Sequence, residues 1–315
     1  MKKVAILLSS YNGEHHIEEQ IESIKKQTYS NWELYVRDDG STDRTVEIVE
    51  EQMKSDNRIH LIEDNNGNLR VIKSFLALLE QVESDYYMFC DQDDYWLDFK
   101  VEKTVNKMLE MESVKISPYA VHTDLIVVDQ ELKLINPSMF DLQKMTATND
   151  KINQLLVQNN ITGCTLMVNE AMKQKVKYHK DIAMHDWWIG LIATSFGKIG
   201  FINVSTIKYR QHGNNTVGAK KYGISYLMDR LKDNKRTLKL LNQNFKQGKA
   251  FNEVYGYELT KKQVEIVSSY AKIPYVSWLN RIKIINKYEF KKNNFSRNLI
   301  FFILILFFNK EIKNK

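Results

Sequence analysis

The chain has 315 residues, 43% of them hydrophobic and 27% charged, which is ordinary globular usage and excludes a disordered, collagenous or coiled-coil chain. Two cysteines, Cys90 and Cys164, are too few for a disulfide scaffold and fit a reducing compartment. The net charge of +6 conceals an imbalance: residues 1–205 carry 22 Lys and Arg against 32 Asp and Glu, and residues 206–315 carry 23 against 7. An acidic part joined to a basic part implies two jobs, the basic one facing an anionic membrane surface or a nucleic acid.

Val4–Ser10 is a continuous apolar run ending at a turn, as a strand buried on both faces reads. Within Glu14–Gln27, Ile17, Ile21 and Ile24 recur at helical spacing. Trp32–Asp39 is a second strand ending in acid, and Thr42–Met53 a second helix, with Ser41 or Thr42 and Asp43 suited to its N-terminus. Arg58–Asp64 is a third strand, Asn68–Val82 a third helix, and Asp85–Asp94 a fourth strand closing in a carboxylate cluster. This alternation predicts an α/β fold, a mainly parallel sheet flanked by helices.

Further on, Lys100–Met111 reads as a helix and Tyr119–Val128 with Leu132–Ile135 as a hairpin. A short helix after Asn149, an apolar segment around Gly163–Val168, a helix over Met184–Ser195 and a strand over Lys198–Tyr209 follow. Beyond Gly223 the chain turns to Lys-rich amphipathic helices, to about Lys246, then over Lys261–Ala271 and Trp278–Tyr288. Leu299–Phe308 is ten apolar residues, half of the roughly 20 that span a bilayer and too apolar for a solvated tail. At the other end only Val4–Leu8 follow Met1-Lys2-Lys3, too short for a secretory signal core, so a cytoplasmic protein is expected.

Polar groups gather where strands end: Ser9-Ser10-Tyr11-Asn12-Gly13-Glu14 after the first, Asp38-Asp39-Gly40-Ser41-Thr42-Asp43 after the second, Asp91-Gln92-Asp93-Asp94 after the fourth. In open parallel sheets ligands bind beyond the carboxyl ends of strands, so three such clusters converge on one crevice. Like charges crowded at Asp91–Asp94 are unfavourable without a cation, and Mg2+ or Mn2+ suits oxygen ligands beside substrate phosphates. The plainer alternative is a solvated acidic loop capping the helix near Leu97. Asp39 is suited to accept the imide N–H of a uracil or thymine, with Tyr11 stacked on that base, while Ser41 and Asp43 suit the cap. No G-x-G-x-x-G follows the first strand, which sets aside a dinucleotide-binding oxidoreductase.

SSYNGE, RDDGSTDRT, YYMFCDQDDYW, TGCTLMVN, HDWW and YRQHGNN, in this order over roughly Lys2–Gly218, resemble the inverting glycosyltransferases of family 2, and most of all the bacterial rhamnosyltransferases of surface polysaccharide synthesis. The resemblance implies a GT-A fold in residues 1–220, with a nucleotide-sugar half over 1–97 and an acceptor half over 98–220, followed by a helical basic extension over 221–315. It implies that Tyr11 and Asp39 meet the base, with Ser9, Ser10, Asn12, Glu14 and Gln92 along the nucleotide-sugar. Asp91 and Asp93 would hold Mg2+ or Mn2+ against the diphosphate, with His212 beside the metal. Asp186 would be the general base, and Asp94, Trp187 and Trp188 would face the acceptor. Each has an ordinary alternative: Asp186 as a helix cap, His212 as a solvated side chain, and at least one tryptophan as core. Arg70 lies in Asn68–Val71, a stretch where relatives carry glycine, and would reach the diphosphate or mark a different donor sugar.

The activity so implied is metal-dependent transfer of a hexose, L-rhamnose from dTDP-β-L-rhamnose first of all, to a saccharide acceptor on polyprenyl diphosphate. The alternatives are a UDP-hexose or UDP-N-acetylhexosamine donor, a sugar nucleotidyltransferase, or a non-catalytic subunit of a polysaccharide-assembly complex. No Gln-x-x-Arg-Trp element closes the catalytic part, so addition of one or a few sugars is expected rather than processive polymerisation. The basic helices and residues 299–308 are expected to hold the protein on the inner face of the plasma membrane, or else to pack on the catalytic domain or across a homodimer. No nucleic-acid motif accompanies the basic charge.

Overall fold

The apolar run Val4–Leu8 is wholly buried inside β1 (Val4–Ser10). The structure, a computed structural model, describes residues 1–64, 66–147, 150–211 and 234–307. From β1 the chain continues through α1 (Ile17–Lys25), β2 (Trp32–Asp38), α2 (Thr45–Ser55), β3 (Ile59–Leu61), α3 (Arg70–Gln81) and β4 (Tyr86–Asp91). Then come β5 (Tyr95–Trp96), α4 (Lys100–Glu112), β6 (Tyr119–Val128), β7 (Leu134–Asn136), α5 (Met139–Gln143) and α6 (Ile152–Val157). β8 (Met167–Asn169), α7 (Glu170–Lys175), α8 (His185–Phe196) and β9 (Lys198–Arg210) follow. The remaining described helices are α9 (Asn234–Tyr255), α10 (Lys261–Lys272), α11 (Trp278–Tyr288) and α12 (Phe295–Phe307).

Two units divide these elements. The first takes Met1–Met139, Ile161–Val176 and Phe196–Ala219; the second takes Phe140–Asn160, Lys177–Ser195 and Lys220–Lys315. The first unit holds the sheet, ordered β3-β2-β1-β4-β8-β6-β9-β5 among the described residues, with β7 on β6. β3, β2, β1 and β4 are parallel, and β8 enters antiparallel between β4 and β6. Strands buried on both faces need apolar residues throughout, and β1 and β4 supply them. The isoleucines at 17, 21 and 24 form the wholly buried face of α1. Register sets the chemistry: Ser9 pairs with Asp91 and Ser10 with Asp38, so the ends of β1, β2 and β4 finish level.

The second unit is helical. Trp188 packs edge-on to Phe251, ring centroids 5.2 Å apart, and Tyr270 contacts Phe245 and Phe290. A reciprocal pair of hydrogen bonds between Thr260 and Gln263 caps the start of α10. The apolar run read from the sequence at 299–308 lies largely in α12, where Phe301, Leu304 and Ile305 are buried within this unit. Arg281, itself fully buried, donates to the Ile305 carbonyl. One face of the run is thus engaged with protein; Phe308 lies outside the described residues. No helix among the described residues is long and apolar enough to cross a membrane.

Candidate active site

In the first unit the level strand ends bring the three polar clusters together. Gln92 bridges two of them: the Tyr11 N–H donates to Gln92 Oε1 at 2.8 Å, and Gln92 Nε2 donates to the Tyr11 carbonyl at 3.0 Å. Gly13 makes room for this bridge, since a Cβ there would stand 2.4 Å from Gln92 Oε1. The Tyr11 ring is half exposed and carries no hydrogen bond among the described residues, as a ring available to a base would be. Ser9 donates to Ser74 Oγ at 2.7 Å and Ser10 to Asp38 Oδ1 at 3.0 Å. Asn12 and Glu14, expected along the nucleotide-sugar, hold the turn after β2 instead. Asn12 Oδ1 accepts from the Thr42 N–H at 2.9 Å and Glu14 Oε2 from the Arg44 N–H at 3.1 Å.

Asp39 does more than its sequence position announces. It is 4% exposed. Its Oδ1 accepts from Arg37 Nη1 and the Leu69 N–H, each at 2.6 Å, and its Oδ2 accepts from the Arg70 N–H at 2.7 Å. Oδ2, with one bond against two at Oδ1, is the oxygen with acceptor capacity to spare. Arg37, 1% exposed, also grips Asp64 with Nε and Nη2 and donates to the Gly67 carbonyl. Arg70 opens α3 at φ +60°, a left-handed value that favours glycine. Its side chain is exposed and makes no hydrogen bond or ion pair among the described residues.

The acidic turn departs from expectation. One ligand atom each from Asp91, Asp94 and Cys164 lie within 4.8 Å of one another. Asp94, read from the sequence as facing the acceptor, thus joins Asp91 in this cluster. The turn between β4 and β5 swings the third acidic side chain, not the second, inward to full burial. Burial, then the neighbouring Asp93 and Asp91, push the Asp94 carboxyl well above the usual range. Its Oδ1 accepts from the Arg210 N–H at 3.3 Å, and its buried Oδ2 has no hydrogen-bond partner among the described residues. Burial, then Asp94 and Asp91, push the Cys164 thiol up as well, and a soft sulfur is a poor partner for a hard cation. Two carboxylates crowded at a strand end, one buried with an orphaned oxygen, suit a hard divalent cation.

Arg210 holds this turn from β9. It is 3% exposed, its Nε donates to the Asp93 carbonyl at 2.9 Å, and its Nη2 pairs with Glu19. The fully buried Lys100 places Nζ 4.4 Å from the Trp96 ring centroid, and burial lowers it to about 8. Sequence reasoning missed Arg37, Lys100 and Arg210; a charged residue inside or bordering an apolar run was the only local signal. His212 lies outside the described residues.

In the second unit, Asp186 occupies the first turn of α8, 6% exposed, and its Oδ1 accepts the Trp187 N–H at 2.6 Å. Trp187 is partly exposed and bonds the Leu155 carbonyl through Nε1. Trp188 is fully buried among Phe251 and Tyr255, and its Nε1 donates to the Lys177 carbonyl at 2.9 Å. That corrects its expected place beside the acceptor: no face of the ring is left for a sugar.

A mainly parallel sheet flanked by helices is the architecture of the GT-A glycosyltransferases. A mannosyltransferase from Pyrobaculum calidifontis, solved with GDP-Man and Mn2+, shares it with a TM-score of 0.54 at 13% identity, over 98% of this chain and 87% of that one. The sequence pattern of glycosyl transferase family 2 matches residues 5–174, and the chain belongs to that family. Among its relatives, the putative teichuronic acid biosynthesis glycosyltransferase TuaG of Bacillus subtilis is 27% identical, covering 70% of this chain and 82% of that one. The dTDP-rhamnosyl transferase RfbG of Shigella flexneri is 28% identical over 67% and 74%. The UDP-Glc:alpha-D-GlcNAc-diphosphoundecaprenol beta-1,3-glucosyltransferase WfgD of Escherichia coli is 31% identical over 66% and 76%.

Proposed function

We propose that this glycosyltransferase moves a sugar from a nucleotide-sugar, dTDP-β-L-rhamnose first of all, with inversion onto a hydroxyl of a saccharide linked to polyprenyl diphosphate, in the synthesis of a bacterial surface polysaccharide. The observation that carries the reading is the register that sets Ser9 beside Asp91 and Ser10 beside Asp38. It gathers a base-reading loop and an acidic turn at one rim. The rhamnosyl donor is supported by the likeness to RfbG, and the lipid-linked acceptor by WfgD. WfgD also favours a second reading, the same transfer from a UDP-hexose.

Tyr11 and Asp39 Oδ2 would hold the base. Arg70, exposed at the start of α3, would reach the diphosphate with its guanidinium. Asp91 and Asp94 would hold Mg2+ or Mn2+, whose chemistry there is neutralisation of charge growing on the departing diphosphate. Asp186 would take the proton of the acceptor hydroxyl as that oxygen bonds to the anomeric carbon and the bond to the diphosphate breaks, its electrons leaving with the nucleoside diphosphate. A single displacement needs one base and no protein nucleophile, and it inverts the anomeric centre. A lipid-linked acceptor and the basic helices support work on the inner face of the plasma membrane.

The test is a donor screen with dTDP-L-rhamnose, UDP-glucose, UDP-N-acetylglucosamine and GDP-mannose on a polyprenyl-diphosphate saccharide, read by release of nucleoside diphosphate. Release with the dTDP-sugar alone supports the first reading. Release of inorganic pyrophosphate, or no release with any donor, overturns both.

A further inference from the structure

We infer that the ledge formed by Tyr275, Trp278 and Leu279, flanked by Lys272, Lys283 and Lys287, is the surface through which the protein docks on an anionic phospholipid membrane. The inference deepens the membrane reading above and relocates the contact. The apolar run of α12 turns Phe301, Leu304 and Ile305 inward. Tyr275, Trp278 and Leu279 are instead 65%, 55% and 54% exposed, three large apolar side chains within five residues. Exposed apolar groups gathered so closely mark a contact surface.

The ledge is held rather than frayed. Ile273 and Pro274 beneath it are buried. Arg281, also buried, donates to the Pro274 carbonyl at 3.0 Å through Nη2 and to the Val276 carbonyl at 3.1 Å through Nε. A desolvated guanidinium spent on the carbonyls of this turn fixes the backbone that presents the three side chains to water. Along α11, steps of four residues lead from Leu279 to Lys283 and Lys287, so apolar tip and cations share one face. α11 carries no acidic residue. The nearby acids are Glu265, which pairs with Lys287, and Glu289, just past the helix.

Trp and Tyr favour the headgroup level of a bilayer, and a basic face beside them adds attraction to anionic lipid. The +16 net charge of residues 206–315 is the complement of such a surface. A second copy of this chain carries the same positive charge on the same face, which disfavours it as the occupant.

Co-sedimentation of the full chain with phosphatidylcholine vesicles, with and without phosphatidylglycerol, tests the inference. Wild type should pellet with the anionic vesicles only. W278S/L279S should lower the vesicle-bound fraction about tenfold or more, K283E should do so to a similar degree, and W278F should retain binding. Circular dichroism melts and nucleoside diphosphate release on a water-soluble acceptor should be unchanged in all three. Wild-type binding by W278S/L279S overturns the proposal, as does a switch of that variant from dimer to monomer with vesicle binding intact. Should vesicle binding follow the expected pattern while no donor releases nucleoside diphosphate, the enzymatic reading alone fails.

Discussion

Arg37 and Asp39 face each other across 2.6 Å at the end of β2, both side chains nearly closed to water. The same guanidinium pairs with Asp64 and holds its carboxyl well below the usual carboxylate range, against the opposing effect of desolvation. Removing the cation leaves two shielded carboxylates without compensation. R37M should lower the unfolding free energy by about 3–5 kcal/mol in urea titrations, and D64N by less. Because the folded Asp64 is depressed, its contribution is present above the ordinary carboxylate pKa and is lost as pH falls toward the folded value.

Arg70 adopts a backbone conformation that favours glycine while its N–H holds Asp39. R70G should therefore raise stability by roughly 1 kcal/mol and at the same time raise the donor KM, with kcat less affected. Stability is read from chemical denaturation and the donor constant from initial rates. A variant that gains stability without any change in KM would remove Arg70 from the donor site.

The acidic turn predicts metal behaviour residue by residue. Excess EDTA should abolish transfer, and Mg2+ or Mn2+ should restore it. D91N and D94N should each raise the half-activating Mn2+ concentration at least about tenfold, whereas C164S should leave Mg2+ activation unchanged because a sulfur ligand suits a hard cation poorly. R210K keeps the charge but loses the fork that reaches both Asp93 and Glu19. It should raise the metal requirement while leaving the melting temperature within a few degrees.

Asp186→Asn should lower kcat by a factor of about 100 to 10,000, the range for a lost general base, with donor binding by equilibrium dialysis unchanged. A mutant near wild-type kcat would return Asp186 to a purely structural role in the first turn of α8.

Burial lowers His122 and His185 to about 3. Both are neutral in the fold, while the unfolded chain takes up protons near pH 6.5. Stability should therefore fall as pH drops from about 6.5 toward 3, by about 2 kcal/mol per histidine at about pH 5. H122F, which keeps a ring against Phe201, should flatten that acid limb by one histidine's share in denaturant midpoints measured across pH.

What was legible in the sequence followed from burial on both faces. β1 and β4 read as unbroken apolar runs and β2 as an alternation, and the carboxylates at the ends of β2 and β4 marked the rim. β5 and β8 span two and three residues, too few to show any period. The burial of Asp94 beside Asp91 depended on how a tight turn aims consecutive side chains, which composition does not encode. Cys164 joins that cluster from a distant stretch of chain. Trp188 looked like a sugar platform because its burial is supplied by Phe251 and Tyr255 of α9, whose packing no local pattern reveals.

The bridge between Gln92 and the Tyr11 backbone leaves no vacant space at Gly13. A methyl group added at residue 13 would collide with the amide of residue 92, so bulk gained in the first loop there must displace the Gln92 side chain and with it the bridge. The segment poised for the nucleoside and the segment poised for the cation are thus constrained as one piece, and a change of donor preference arising in either should arrive with a matching change in the other.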